Sequence, residues 1–355
     1  MRVLVLNAGS STIKGSIVDS KDATVVAQEE LSLGADATRR RGLEPTVRRL
    51  VVNLDPDRNR VQAVGHRVVH GGTSFRSAVR VSRPVLREIE ALATFAPLHN
   101  RVAVEGIRAA QAVLPKLPQV AAFDTAFHAT LPESEALYPV PWRWQREGGI
   151  RRFGFHGLSV EWSIEKASRQ LDRAVDELAL VVAHLGSGCS VTAVQGGRSM
   201  ATSMGLTPME GLMMGTRSGS IDPGILLYML RTRRAGWREL EQQLDHESGL
   251  VGVSGRRTGM RELEKGAAAG NRRAALAIEM FVARAAAGIA AAATRLPRID
   301  ALVFTGGIGE HSTLVRDAIV RRLATFGDLQ VLVVEAREDA VIAGQAERLL
   351  QQPKP

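Results

Sequence analysis

Short runs of apolar residues recur along the chain and predict β-strands. The runs cover residues 3–6, 13–18, 61–69, 120–123, 178–185, 191–194, 301–305 and 329–334. Between them, apolar residues at helical spacing predict helices over residues 83–95, 101–113, 158–171, 271–295, 314–326 and 337–350. The mixture indicates an α/β protein whose sheet is partly parallel and partly antiparallel.

One pattern occurs twice. Residues 3–19 and 180–197 both read as a strand, a loop of small residues and a second strand, and about half the chain separates the two copies. A chance resemblance between two β-hairpins is the simpler explanation of the pattern alone. Two similar halves would instead offer two phosphate-binding loops to one ligand.

Length and composition narrow the class of protein. At 355 residues the chain predicts two domains with a cleft between them. It contains no run of about 18 uncharged apolar residues, and a strand pattern begins at once, so we expect no leader peptide, no membrane partner and a cytoplasmic location. The single cysteine, Cys189, excludes an intrachain disulfide. Residues 34–42 predict a flexible loop, and residues 353–355 a frayed end.

The chain is basic, with a formal net charge of +9. Nucleic-acid binding is one explanation, but the arginines are scattered and aromatic residues make up only 4% of the chain. We therefore expect no nucleic-acid partner and a surface that favours anionic small molecules.

The loop after the first strand suits an anion. The stretch V-L-V-L-N-A-G-S-S-T-I-K exposes backbone N–H groups next to Asn7, Ser10, Thr12 and Lys14. Amide, hydroxyl and ammonium groups are all donors to phosphate oxygens. A tight turn without a ligand explains the stretch as well, since it matches neither a Walker loop nor a dinucleotide fingerprint.

Other polar residues lie where predicted strands or glycine-rich loops end. They are Arg67 in G-H-R-V-V-H-G-G, Asp124 in F-D-T-A-F-H, His156 in F-G-F-H-G, Arg217 in M-G-T-R-S-G-S and the turn F-T-G-G-I-G-E. A surface ion pair, a helix cap or a structural histidine is an alternative for each one. The histidines lack zinc-site spacing, so Mg²⁺ held by carboxylates and phosphates fits better.

Taken together, these segments resemble the acetate kinase family, within the larger group of acetate and sugar kinases, heat-shock ATPases and actin. A-P-L-H-N, H-L-G-S-G and T-S-M-G-L-T-P-M-E-G also resemble the family, and the segments follow its order from residue 1 to about 345. The resemblance implies reversible phosphoryl transfer between ATP and acetate with Mg²⁺, usually by a homodimer. It also implies a duplicated actin-like, ribonuclease H-like fold. Its first domain would comprise residues 1–127 and 339–355, and its second, nucleotide-binding domain residues 128–338.

The resemblance also implies roles for particular residues. The catalytic residues are Arg67, Asp124, His156 and Arg217, and Arg67 would also bind the substrate carboxylate. The acetate pocket consists of Val69, Leu98, Phe155 and Pro208, and Mg²⁺ binds Asp124, Glu338 and Asn7. The nucleotide and its phosphates contact Asn7, Ser10, Thr12, Lys14, His184, Gly186, Ser187, Gly188, Arg261, Gly306, Gly307, Ile308 and His311.

Almost all the departures from the family pattern lie on the nucleotide side; in addition, Val160 replaces a histidine just past His156, and Thr12 replaces a serine. Ser187 and His311 replace asparagines, and Gly259 and Met260 stand where Asp-Phe is usual. Losing an acceptor for ribose hydroxyls costs about 1–3 kcal/mol, which predicts a high KM for ATP or another donor, such as GTP or pyrophosphate. A non-catalytic relative that binds nucleotide or acyl phosphate is the main alternative. A sugar kinase would need a catalytic base and a polar pocket.

Overall fold

The computed structural model describes residues 1–9, 12–33, 42–56 and 60–352 and divides the chain into two compact units. The first unit comprises Met1–Ala129, Gly157–Trp162 and Arg337–Pro355, and the second comprises Thr130–His156 and Ser163–Ala336. Of the loop predicted over residues 34–42, all but Gly42 lies outside the described residues, as do residues 353–355. The domain boundaries inferred from the family stay a prediction.

The described residues form strands and helices in the following order. The strands are β1 (Arg2–Ala8), β2 (Thr12–Asp19), β3 (Thr24–Ser32), β4 (Ala63–Val68), β5 (Val79–Arg80), β6 (Gln119–Phe123), β7 (Ala179–Leu185), β8 (Cys189–Gln195), β9 (Arg198–Thr202), β10 (Ala301–Thr305) and β11 (Val331–Val333). The helices are α1 (Glu44–Leu54), α2 (Arg83–Ala91), α3 (Pro97–Val113), α4 (Glu133–Ala136), α5 (Trp142–Gly148), α6 (Gly157–Leu171), α7 (Pro223–Arg231), α8 (Trp237–His246), α9 (Gly249–Ser254), α10 (Met260–Ala268), α11 (Arg272–Ala293), α12 (Gly306–His311), α13 (Thr313–Arg322) and α14 (Glu338–Gln351).

Every strand and helix predicted from the apolar pattern is present, with shifted ends. The pattern missed β3, β5 and β9 and several helices, among them α1, α7, α8 and α10. β3 is an edge strand whose residues alternate between exposed and half-buried, so it lacks a fully buried face. A strand of this kind carries too weak an apolar signal to be found by that pattern.

The two sheets share one strand order. The first unit has the order β3-β2-β1-β4-β6-β5 and the second β11-β10-β7-β8-β9. In each, an antiparallel meander of three strands is followed by two strands that run parallel to its first strand. The first sheet has one further strand, β5, which is antiparallel to β6. The hairpins β1-β2 and β7-β8 are the two copies of the repeated sequence pattern. The internal repeat is therefore a structural duplication.

The first sheet is covered on both faces. Leu4 and Leu6 of β1 share a hydrophobic core cluster with Leu50 of α1 and Ala110 of α3. On the other face, α14 packs so closely that a Cβ atom at Gly65 would lie 2.6 Å from Cγ2 of Ile342. This packing fixes the first residue of α14 and the C-terminal ends of β1, β4 and β6.

The second sheet packs against α11. Phe281, Val282 and Ile289 of this helix are buried, and the helix contacts β7 and β8. Among the described residues, α11 is the helix long and apolar enough to cross a membrane by length and composition. Its buried face belongs to the core of the second unit.

Candidate active site

Three predicted site residues of the first unit form one charged cluster. Arg67 projects from β4, Asp124 follows β6, and Glu338 begins α14. Nε of Arg67 donates to Oδ1 of Asp124 at 3.0 Å, and Nη2 donates to Oδ2 at 2.7 Å. Nη1 lies 3.0 Å from Oε2 of Glu338. The guanidinium group therefore lies between both carboxylates that the resemblance assigns to the metal.

The cluster is mostly removed from water. The Asp124 side chain is 1% exposed, and those of Arg67 and Glu338 are 19% and 17% exposed. Burial lowers the pKa of Arg67, but the charges of Asp124 and Glu338 outweigh burial and raise this pKa above its ordinary value. The arginine stays protonated, and the formal charges of the three side chains sum to −1.

The donor set of this cluster suits a hard divalent cation. Mg²⁺ is held by one or two carboxylates together with water and substrate phosphates, and Asp124 and Glu338 already lie on either side of one positive group. Among the described residues no three His, Cys, Asp or Glu side chains converge into a closed metal cage. The residues present fit an open magnesium site.

Gly9 and Thr12 lie at the two ends of the first small-residue loop, between β1 and β2. The backbone N–H of Gly9 donates to the carbonyl of Thr12 at 2.8 Å. Asn7 and Lys14 lie opposite each other in the ladder, so their side chains share one face of the sheet. Asn7 and Thr12 are half-buried and Lys14 is exposed. Ser10 lies outside the described residues.

The loop after β4 carries Val69, which is half-buried. Two residues without an assigned role fix this loop. The side chain of Asn100 accepts from the His70 backbone N–H at 3.0 Å and donates to the His70 carbonyl at 2.9 Å. The Thr125 hydroxyl accepts from the Gly71 N–H at 2.9 Å. The side chain of Leu98 lies outside the described residues.

In the second unit, His156 is held against the second hairpin. It precedes α6 with a φ of 60°, a left-handed conformation that is uncommon for residues other than glycine. Its ring stacks on His184 of β7 with centroids 4.1 Å apart, and Nδ1 lies 3.0 Å from Oγ of the buried Ser190 in β8. These two contacts fix the ring orientation.

Arg217 lies beside the same loop. A Cβ atom at Gly188 would lie 3.2 Å from Nε2 of His156 and 3.6 Å from Nη1 of Arg217. Both side chains therefore approach one point above a glycine, where no side chain blocks an anion. Gly186 belongs to the same connection, since its N–H donates to the carbonyl of Gly188 at 3.0 Å.

A cavity of about 990 Å³ opens beside this loop within the second unit. Its lining includes the predicted nucleotide residues Gly186, Ser187, Arg261, Gly307, Ile308 and His311, and also Gly259 and Met260. Gly306 makes the turn into α12 with a φ of 77°, and a Cβ there would lie 2.8 Å from the carbonyl of Leu185. Only glycine fits at this position.

The two pocket residues of the second unit differ in their surroundings. Phe155 is 1% exposed. Pro208 is half-buried, and its carbonyl accepts from Nη1 of Arg217 at 3.2 Å. The acetate pocket that the resemblance assigns to Val69, Leu98, Phe155 and Pro208 stays a prediction.

The sequence analysis missed three residues that contact the predicted site residues or line the same cavity. Ser190 contacts His156, Asp245 binds Arg217 with Nε donating to Oδ1 at 2.7 Å, and Glu264 lines the cavity. Asp245 is 28 positions from Arg217, so no local spacing connects the two. Glu264 follows Arg261 by three residues on α10, a spacing that places both on one helix face, and this signal could have found it.

His66, the histidine next to Arg67, has a structural role. It is 2% exposed, and its Nε2 lies 2.7 Å from Oε1 of Gln119 in the neighbouring strand. Because side chains alternate along β4, His66 and Arg67 lie on opposite faces of the sheet. Burial lowers the pKa of His66 from 6.5 to about 4.

The chain is similar over its whole length to proteins of one enzyme family. The model of the Acetokinase family matches residues 22–349. The acetate kinase of Synechococcus sp. (strain JA-2-3B'a(2-13)) is 42% identical over 403 residues, covering 99% of this chain and 100% of that protein.

Solved structures of a propionate kinase and an acetate kinase are also similar to this chain. A propionate kinase from Francisella tularensis aligns with a TM-score of 0.89 at 35% identity, over 97% of this chain and 98% of that one. The acetate kinase of Porphyromonas gingivalis aligns with a TM-score of 0.90 at 31% identity, over 99% of this chain and 100% of that one. Together with the repeated sheet order, this similarity confirms the predicted α/β class and actin-like fold.

Buried His66 predicts a loss of stability in acid. Below pH 6.5 the unfolded chain binds a proton that the folded chain excludes down to about pH 4, so stability falls as the pH falls through this window. Across this window the free energy of unfolding falls by about 3 kcal/mol. Urea unfolding from pH 7 to pH 4 measures it, and His66→Asn should flatten the curve. The control is His246→Asn at a half-exposed position; parallel curves for wild type and His66→Asn would contradict this account.

Proposed function

The chain belongs to the acetate kinase family, and from this premise we propose that it transfers a phosphoryl group reversibly between ATP and acetate, giving acetyl phosphate and ADP. The observation that carries the proposal is the approach of His156 and Arg217 to one point over Gly188, beside the cavity of the second unit. A phosphoryl group in transfer has three equatorial oxygens that need fixed positive donors. These two side chains supply such donors.

The reaction needs no general base. Acetate is already an anion at neutral pH, so one of its oxygens attacks the γ-phosphorus directly. The new O–P bond forms as the bond from the γ-phosphorus to the β–γ bridging oxygen breaks, and ADP leaves with that electron pair. His156, oriented by Ser190 and His184, and Arg217 donate to the transferring oxygens.

The acceptor is a small carboxylate. Val69, Leu98, Phe155 and Pro208 are the proposed apolar pocket for its methyl group, and Arg67 the proposed partner of its carboxylate. One methylene changes specificity by only about 1–3 kcal/mol, so we propose that propionate is also a substrate. The similar protein from Francisella tularensis is a propionate kinase, which agrees with this breadth.

ATP is the proposed donor, bound in the cavity of the second unit with its phosphates towards residues 186–188. Gly259 and Met260 line this cavity, as do Ser187 and His311. A glycine at position 259 offers no side-chain acceptor for ribose hydroxyls. We therefore propose that ATP is used with a raised KM, and that GTP and pyrophosphate are the alternative donors to compare.

Mg²⁺ is the proposed metal. Asp124 and Glu338 would hold it, with Asn7 as a third candidate ligand from β1. When bound, the ion neutralises phosphate charge and aligns the phosphates with the acceptor. The carboxylates are positioned for this by strand β6 and by the first turn of α14.

We further propose a cytoplasmic homodimer. Support comes from α7, which exposes apolar side chains over much of its surface. Ile225, Leu227, Tyr228 and Leu230 are 49%, 58%, 47% and 43% exposed. An apolar helix left open to water on this scale is typical of an association surface.

A donor and acceptor panel tests the proposed activity. Purified protein is assayed for acyl hydroxamate with ATP, GTP or pyrophosphate and with acetate or propionate. We expect acetyl phosphate from ATP at a high KM, and Arg217→Ala should lower kcat by at least about 100-fold because one transition-state donor is lost. Arg295→Ala, which removes an exposed ion pair with Glu135, is the matched control. Wild-type protein without acyl phosphate from any donor would favour the non-catalytic alternative.

Metal binding tests the role of Asp124 and Glu338 without turnover. Replacing Arg67 with glutamine removes the positive charge between the two carboxylates, so Mn²⁺ should bind at least about tenfold more tightly. Free Mn²⁺ is measured by electron paramagnetic resonance without nucleotide. Arg80→Gln, at a residue that donates to the carbonyls of Leu349 and Leu350 rather than to a carboxylate, is the control. Weaker Mn²⁺ binding by Arg67→Gln would refute the assignment.

Sedimentation tests the dimer. Wild-type protein should sediment with twice the mass of one 38.3 kDa chain, and Leu227→Glu should shift the equilibrium towards the monomer, because a charge would be buried in the association surface. Leu276→Glu, at a similarly exposed leucine of α11, is the control. Wild-type protein at the mass of one chain would disprove the homodimer.

A further inference from the structure

Two nitrogens of the Arg217 guanidinium group, Nε and Nη1, form hydrogen bonds with the protein. Nε donates to Oδ1 of Asp245 at 2.7 Å, and Nη1 donates to the carbonyl of Pro208 at 3.2 Å. The sulfur of Met214 lies 3.8 Å from Nη1. Within the described part of the chain, Nη2 has no hydrogen-bond partner. The arginine is therefore held at Nε and Nη1, and it keeps both N–H donors of Nη2.

Asp245 is itself held firmly, because the end of α8 is joined to the loop that carries Arg217. The hydroxyl of Thr216 donates to the Asp245 carbonyl at 2.7 Å. The backbone N–H of Ser218 donates to the carbonyl of Leu244 at 3.1 Å, and that of Ser248 to the carbonyl of Thr216 at 2.9 Å. These hydrogen bonds join the loop of Arg217 to the end of this helix.

The helix dipole and the low solvent exposure at position 245 both disfavour a charged carboxylate there. It lies in the last turn of α8, where the helix dipole favours cations and disfavours anions. The side chain is only 15% exposed, so water solvates it poorly. Two positive or titratable groups face it: Arg217, and the half-exposed His246, whose Nε2 lies 3.6 Å from Oδ2. The arginine is the partner that stabilises the charge.

The ion pair between Arg217 and Asp245 sets the direction of the Nη nitrogens of Arg217. Nη1 of Arg217 lies 3.6 Å from the position of a Cβ at Gly188, and Nε2 of His156 lies 3.2 Å from the same position. Since Asp245 takes Nε, rotation of the guanidinium away from that position breaks the ion pair. The carboxylate and the Pro208 carbonyl together keep the Nη side towards the 186–188 loop.

We infer that Asp245 is a positioning residue for phosphoryl transfer, which acts only through Arg217 by holding its guanidinium towards the transferring oxygens. The inference rests on the proposed function. Asp245 binds Arg217 and is not among the described residues that line the cavity of the second unit; its effect is to reduce the number of orientations of one catalytic donor before the substrates bind. Its neutralising charge also limits ground-state attraction of anions by Arg217.

A double-mutant cycle tests the inference. Wild-type activity is measured first, so that failure of the proposed function is seen independently of the variants. Asp245→Ala should lower kcat about 30- to 100-fold, since a misplacement of about 1 Å costs up to 100-fold, with both KM values within about threefold of wild type. Asp245→Asn should retain kcat within about fivefold, because its amide oxygen still accepts from Nε. In the Arg217→Ala background, Asp245→Ala should cause no further loss.

The control is Asp300→Asn. This carboxylate is 11% exposed, pairs with Arg173 and Arg298 at 2.9 Å and accepts from the Ala179 N–H, so it resembles Asp245 in burial and in having an arginine partner. It should leave kcat within about twofold. If Asp245→Ala fails to fold, Asp245→Ser replaces it in both backgrounds. Equal losses from Asp245→Ala with and without Arg217 would overturn the inference, and so would an Asp245→Ala enzyme with unchanged kcat.

Discussion

The ion pair between a partly buried arginine and a carboxylate is the interaction on which the candidate site residues of each unit depend. Asp124 and Glu338 hold Arg67 in the first unit, and Asp245 holds Arg217 in the second. A long, flexible side chain loses up to about 2 kcal/mol of rotamer entropy when it is ordered. In both units a protein carboxylate orders the arginine while the protein folds. The proposed binding of a substrate anion at these arginines would then need less reorganisation, because the guanidinium groups are already ordered.

The duplicated sheet explains why the polar residues meet at strand ends. In each unit a hairpin lies beside two parallel strands, so the C-terminal end of the first hairpin strand lies next to the C-terminal ends of its parallel neighbours. That edge carries Asn7 and Arg67 near the ends of β1 and β4, and Asp124 directly after β6, in one unit. In the other unit the same edge carries His184 and the turn at Gly306. Backbone N–H groups and short loops are thus brought together by topology, without a long recognition segment.

Much of this arrangement could be predicted from the sequence. The apolar runs revealed the buried strands because β1, β4, β6, β7 and β10 are covered on their faces, and the glycine-rich loops marked their ends. Partners that lie far apart in the chain could not be found this way. Asp245 approaches Arg217 only because α8 ends against the 214–218 loop, and Ser190 faces His156 only because β8 pairs with β7. Edge strand β3 and the open helix α7 were missed for another reason, since their apolar residues do not form a buried face.

Local charge constrains how such a site can attract anions. The chain carries +9 overall, yet the Arg67 cluster has one positive and two negative groups, and Asp245 cancels the charge of Arg217. Net positive charge at these residues therefore gives little attraction for an anion, and the proposed site relies on oriented N–H donors and on the proposed Mg²⁺ at Asp124 and Glu338. This favours arginine over lysine at both positions. A guanidinium has five N–H donors, so Arg67 can bind two carboxylates through its three nitrogens and Arg217 can bind Asp245 through Nε and keep donors on Nη2. An ammonium group is a single point charge that the carboxylate would largely neutralise.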